Sequence, residues 1–342
     1  MLRHKIITLL AIIKTKFNIY KECLRERTTN FSEVSFDIII ICIAGFLLLY
    51  YPIGAILTHN IDRNTNIEIT SNNDNSSQTI EMISYIINNE VNEKIWTPNL
   101  PFFFPASILD NMPEFQLGII DGVSKFTSAF EKRIDRRIQD KENTSQLYKA
   151  ATLLRYPGTV WMFDPQNKIK PAPSSSSQYR KARRQLIKYN QNLIDGKNIF
   201  YKTSADLSYI LKKSKLNLSQ SNKQLSIAIR ENSSSIFDNN ADNVFYYNQG
   251  KVYAYYLLFK ALGNDYKDII VNHNQYQNWI SLTKALEEAI NIQPIFIRNG
   301  EFNSLTAPNH LNYLNYGILK AQNLLTNIIS NLNSIPNTKD NQ

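Results

Sequence analysis

Cysteine is almost absent from this chain. Of 342 residues only Cys23 and Cys42 carry a thiol, and none follows residue 42, so the long C-terminal part can form no disulfide and has no thiolate for catalysis or zinc. Glycine (10) and proline (12) are also scarce, which disfavours a β-sandwich with many tight turns. No P-loop, dinucleotide-binding glycine pattern, HExxH, G-x-S-x-G, EF-hand loop or CxxC pair occurs. Every high-specificity signal of chemistry is therefore missing, which does not exclude catalysis. Uncharged apolar runs are equally rare: one of membrane-spanning length exists, and no second.

That run is 38–57, IIIICIAGFLLLYYPIGAIL. At a rise of about 1.5 Å per residue it crosses the roughly 30 Å hydrocarbon core of a bilayer as a single helix. Before it stand Arg3, Lys5, Lys14, Lys16, Lys21, Arg25 and Arg27; a comparable distance beyond it holds only Arg63. This asymmetry predicts a cytoplasmic N-terminus and, in a bacterium, a periplasmic C-terminal part. A cleaved signal peptide is the rival reading, but its apolar core is usually about 7–15 residues near the chain start. The expected organisation is a cytoplasmic basic amphipathic segment (1–34), a transmembrane helix (35–58), a polar linker (59–78), a periplasmic helical domain (79–335) and a disordered tail (336–342).

Hydrophobic residues at 43% suffice for a real core. The net charge is +9. A mild excess beyond the span suits anionic lipid headgroups or cell-wall polymer, and a solvated surface equally. Nucleic acid is not an expected partner on the far side of a membrane.

Along the chain, residues 3–21 space Ile6, Leu9, Leu10, Ile13, Phe17 and Tyr20 on one helical face flanked by lysines, the pattern of an interfacial helix or, more blandly, a frayed tail. Helical periodicity predicts helices over 79–91, 114–139, 145–154, 204–213, 219–230, 241–262, 276–290 and 311–332, with another beginning where Ser176 or Ser177 caps it. Gly263 reads as a left-handed end to the helix before it. Between them, WTPNLPFFFP (96–105) has three prolines that forbid a regular helix and four aromatics that demand burial, predicting an extended segment packed across helices. Trp161-Met162-Phe163 reads as a buried connector, 164–177 as an exposed loop, 232–239 as a polar break and 294–310 as an irregular segment turning at Asn299-Gly300. No strand-like alternation persists, so the fold class is all-α: an N-terminal transmembrane helix followed by a periplasmic multi-helix bundle.

Candidate functional residues are few. Asp110, Asp121, Asp242, Asp265 and Glu301 lie beside aromatic or Asn-Gly segments, and two of them facing one cleft would permit acid–base work on a glycan. Asp110 and Asp242 are also well placed as helix caps, and Asp265 follows a helix-ending glycine. His310 at a helix start, ahead of His273, is the candidate histidine. Arg180, Lys181, Arg183, Arg184 and Lys188 form a basic helix with no acid among them, able to hold an anionic polymer or lipid, or simply a solvated face. No metal site and no cofactor is implied.

Five blocks, WTPNLPFFFPASILDNMPEFQLG, LLRYPGTVWMFD, SQYRKARRQLIKYNQNL, ADNVFYYNQGKVYAYYLLFKALGNDY and FIRNGEFNSLTAPNHLNYLNYGILKAQ, resemble in that order the bacterial domain-of-unknown-function family number 2333, over roughly residues 38–335. The resemblance implies a single-pass envelope protein of proteobacterial type with no assigned activity and no catalytic residues to carry over. The expected function is that of a membrane-anchored envelope protein, seated in the inner membrane, whose periplasmic domain binds a protein partner or cell wall. The alternative is a periplasmic enzyme on glycan or lipid, using Asp110, Asp242 or His310.

Overall fold

The computed structural model describes residues 15–16, 31–69, 75–134, 145–164, 167–231, 239–292, 297 and 309–334. The predicted interfacial helix (Thr15 and Lys16 apart), the end of the helix predicted over 114–139, the polar break, most of the irregular segment with Asn299-Gly300, and the tail lie outside the described residues. Two compact units result, Met1–Leu57 and Thr58–Gln342.

Helix α1, Phe31–Thr58, carries the apolar run and contains Pro52. Its portion Phe36–Thr58 has a mean hydropathy of 2.3 and is, among the described residues, the one helix long and apolar enough to cross a membrane. Phe46, Leu48, Leu49, Ile56 and Leu57 stay exposed, and an all-round apolar surface of this kind suits a lipid solvent.

The second unit is a bundle of α2 (Gln78–Asn88), α3 (Asn111–Ile134), α4 (Gln146–Leu154), α5 (Ser175–Ile194), α6 (Ser204–Glu231), α7 (Asn239–Asp265), α8 (Lys267–Asn272), α9 (Tyr276–Ile290) and α10 (His310–Ser334). Helix α7 is its centre. Val252, Tyr253, Ala254, Tyr255, Leu257, Leu258 and Phe259 are all essentially inaccessible, so α7 is apolar all round over 252–259 and is packed against α2, α3, α6, α9 and α10.

The tightest contact is between α3 and α7, made by glycines. A Cβ on Gly118 would overlap the Tyr247 carbonyl oxygen, and one on Gly250 would overlap that of Phe115. The backbones therefore touch where side chains normally intervene. Pairs run 115 with 250 and 253, 121 with 251, 122 with 254 and 126 with 255, so α3 and α7 are parallel. Helix α6 runs against α3, bringing Lys125 to Gln220 and Arg133 over Tyr209. Helix α10 in turn runs against α6, bringing Ser208 to Asn333 and Ser226 to Asn315. The N-termini of α3, α7 and α10 thus share one end of the bundle.

Several expectations change. Residues 204–231 form one helix instead of two, because Ser214, Leu218, Ser221 and Leu225 continue a buried stripe at helical spacing and nothing between them breaks the backbone. Helix α7 runs through Gly263 to Asp265; the missing side chain there admits the Trp279 indole. The cap of α5 is Ser174, which accepts the Ser177 amide hydrogen bond, not Ser176 or Ser177. Residues 163–171 hold a small antiparallel hairpin, β1 (Phe163–Asp164) with β2 (Asn167–Pro171). The π-turn Asn89–Glu93 extends α2.

Within the segment expected to be a linker, residues 59–69 lie along α7. Arg63 donates to Gln249 Oε1 at 2.9 Å, Tyr253 Oη donates to Asn64 O at 3.0 Å, Lys260 Nζ to Thr65 O at 3.0 Å, and Ile67 is buried.

The aromatic segments also differ. Trp96 is buried, with Nε1 donating to Gly158 O at 2.9 Å, and Asn99 Nδ2 donates to Val160 O at 2.7 Å. This pins an extended segment across the helices as expected. Phe102, Phe103 and Phe104, however, are exposed, as are Trp161, Met162 and Phe163. Consecutive tight turns cause it: the Phe104 amide returns to Pro101 O and the Ser107 amide to Phe104 O, lifting the three rings away from the core.

Candidate functional site

A cavity of about 710 Å³ is an open groove walled by α3, α6 and the turn joining α4 to α5. On α3, Asp121, Lys125, Ser128 and Lys132 follow one another at spacings of four and three, so they share a face. Lys213 comes from α6, Arg155 from the end of α4, and Tyr156, Tyr209 and Tyr247 add aromatic walls. A volume in the few-hundred Å³ range with convergent polar groups is typical of a small-ligand or oligomer subsite.

Among the described residues, Asp121 is the one acid in the lining, and it is already engaged. Lys251, 1% exposed, sits 2.8 Å from Oδ2, and Lys125 Nζ lies 3.0 Å from the same oxygen. Burial pushes the Asp121 carboxyl up, but the two ammonium groups outweigh it and hold the acid below its ordinary value. Burial draws Lys251 down against the pull of Asp121. The Lys251 ammonium also lies 4.8 Å from the Tyr247 ring centre. Burial, then Asp121, raises the Tyr247 phenol. Among the described residues, the surplus cations around the groove, Lys132, Lys213 and Arg155, consequently face no acid of the lining. The groove is a basic, tyrosine-walled surface suited to an anion.

Elsewhere, buried charge is structural. Glu90 in the π-turn bonds Lys94 at 2.6 Å, both nearly inaccessible. Gln116 accepts from the Thr97 amide (2.9 Å) and hydroxyl (2.7 Å) and donates to Ile95 O at 3.1 Å. These bonds hold the 94–97 segment onto α3. Asp265 accepts Ser77 Oγ at 2.7 Å and the Gln78 and Thr79 amides at 2.9 and 3.0 Å. It therefore caps α2 from the end of α7.

Of the acids and histidines singled out from sequence, Asp110, Asp242 and His310 stand at helix starts, while Glu301 lies outside the described residues. Asp110 immediately precedes α3 and accepts the Asn111 amide at 2.8 Å. Asp242 is in the first turn of α7. His310 opens α10, behind Asn309, which caps that helix by accepting the Asn312 amide at 2.9 Å. The parallel course of the three helices brings these residues to one end of the bundle. Asp110 and Asp242 both influence Tyr246, whose phenol is raised by burial first, against the nearby Arg63. His273 bonds Ile269 O through Nδ1 at 2.9 Å within α8 and its turn.

In the basic helix α5, Arg180 is spent on structure, donating to Asn92 Oδ1 at 2.9 Å and Val91 O at 3.0 Å. Arg183 is half-buried, whereas Lys181, Arg184 and Lys188 are exposed. None of the five lines the large groove. Asp121 was among the acids noted from sequence, but Lys125, Lys132, Lys213, Arg155, Tyr247 and Lys251 were not. The seven-residue spacing of Lys125 and Lys132 on the polar face of an amphipathic helix was the readable signal for part of the set.

A family model described as "Uncharacterized protein conserved in bacteria" (DUF2333) matches residues 101–330, which include α3 to α7 and so the whole groove. No curated protein and no solved structure matches the chain.

Proposed function

Because the chain belongs to DUF2333, a family of uncharacterised proteins conserved in bacteria, we propose that it is a single-pass inner-membrane protein whose periplasmic domain binds an anionic cell-wall glycan in the groove between α3 and α6. The charge asymmetry around residues 38–57 supports the orientation. The observation that carries the binding role is the set of Lys132, Lys213 and Arg155 around tyrosine walls, above a single acid already neutralised by Lys251 and Lys125. Tyrosine faces pack against the C–H faces of sugar rings, and ammonium and guanidinium groups pair with carboxylate or phosphate. Asp121, held ionised between two lysines, orients them and is poorly suited to deliver a proton.

The test is co-sedimentation of the purified full chain, in mild detergent, with intact cell-wall sacculi, followed by mass spectrometry of the supernatant. Binding without released fragments is the expected result. Lys132→Glu and Lys213→Glu, both at exposed positions, should each weaken it roughly tenfold, the loss of one charge-assisted contact of about 1.4 kcal/mol. Binding that ignores both reversals, or no binding, refutes the groove. Released fragments that vanish on changing Asp110, Asp242 or His310 would instead favour the enzymatic reading.

A further inference from the structure

A second surface is distinct from the groove. Phe102 (81% exposed), Phe103, Phe104, Ile108, Trp161, Met162 and Phe163 all present large apolar area to solvent. Phe102, Phe103, Phe104 and Trp161 form one patch, because the Phe103 ring lies tilted against Phe104 with ring centres 5.1 Å apart and meets Phe102 at 5.6 Å and Trp161 at 5.7 Å. An apolar patch of this kind marks an interaction surface. Its rigidity points the same way: Pro101 and Pro105 bracket the phenylalanines, and Trp161 is carried at the base of a hairpin whose next residue, Met162, accepts the Ala172 amide at 2.9 Å.

The occupant follows from chemistry and connectivity. Aromatic side chains concentrate where an apolar medium meets water, and basic side chains beside them meet anionic headgroups. Lys170 is exposed on the hairpin, and exposed Lys181 follows Arg180, which lines the same small depression as Trp161 and Met162 while its guanidinium is held by Asn92 and Val91. The same chain carries the apolar helix α1 directly before the folded unit, so a bilayer is present at high effective concentration and weak contacts suffice. We propose that the Phe102–Phe104 and Trp161–Phe163 patch inserts its rings into the headgroup region of an anionic bilayer, holding the folded domain against the membrane that anchors it. The anchoring itself is the reading proposed above, on which this inference rests.

Trp161 is a built-in probe, since Trp96 and Trp279 are buried at 4% and 7% exposure. The full chain is reconstituted in phosphatidylethanolamine/phosphatidylglycerol vesicles with and without headgroup-proximal doxyl lipids. The wild type should lose on the order of a third of its tryptophan emission to the quencher, the share of one tryptophan in three, while Trp161→Phe loses little. Equal quenching of both forms, or none in either, overturns the proposal; a protein partner on this face would also leave Trp161 unreached by lipid. Phe102→Ser with Phe104→Ser, both surface changes, should roughly halve the Trp161 quenching while leaving helicity by circular dichroism unchanged. Alkaline carbonate extraction of the same vesicles separates the two readings. Chain released by carbonate sinks the anchor, whereas chain retained with Trp161 unquenched sinks the docking surface alone.

Discussion

Asp265 joins two elements through one carboxylate. It ends α7 yet accepts three hydrogen bonds from the start of α2, so Asp265→Ala should cost about 2–3 kcal/mol, read as a lower denaturation midpoint. Asp121 and Lys251 are coupled differently, as a charge pair. With the folded Asp121 value depressed, its contribution is present above the unfolded value of about 4 and is lost as pH falls through the folded value. Asp121→Asn should therefore cost about 3 kcal/mol at neutral pH, leaving Lys251 buried beside a neutral group, and the gap from wild type should close on acidification below pH of about 4. Glu90 runs the other way. Burial raises its carboxyl despite Lys94, so its contribution is full below the unfolded value and declines as pH rises through the folded one. Of these residues, the capping role of Asp265 was partly legible from its place after a helix-ending pattern. The partners of Asp121 and Glu90 were not, because they depend on which helices meet.

At the scale of elements, the glycines decide how closely α3 approaches α7. Gly118→Ala and Gly250→Ala each place a methyl against a backbone carbonyl that has no rotamer to retreat into, so each should destabilise by about 3 kcal/mol in chemical denaturation. Gly122→Ala should cost less, its nearest neighbour being the Ala254 Cβ at 3.2 Å. The two severe changes act on one contact, so the double variant should fall short of their sum. Helix type was legible almost everywhere because apolar residues recur at helical spacing over long stretches. Boundaries were less so: Gly263 reads as a stop, but it lies inside a helix because the space it vacates is filled by Trp279 from α9. The exposed Phe102–Phe104 rings defeat a burial rule that holds for residues with a neighbour to cover them. Their turns are closed by local backbone bonds, which sequence hydropathy does not register.

For the whole molecule, the proposed orientation is tested by cysteine chemistry. Ser219→Cys places a thiol at an exposed position of α6, and a membrane-impermeant maleimide should label it in spheroplasts without lysis; labelling only after permeabilisation would reverse the topology. The all-α class and the single apolar run were readable from residue pattern alone. The groove was not, since it exists only where α3 meets α6 and the α4–α5 turn, and these meetings, like the parallel pairing of α3 with α7, are tertiary. That pairing also governs how the molecule is made. Gly118 and Tyr247 are about 130 residues apart in the chain, so the central contact closes a long loop before it yields any stabilisation. Until the α7 segment has been delivered, the bare glycine face of α3 has nothing to meet. Assembly of the bundle is thus bound to wait for its last third, and a chain truncated before residue 247 should remain a client of chaperones and proteases.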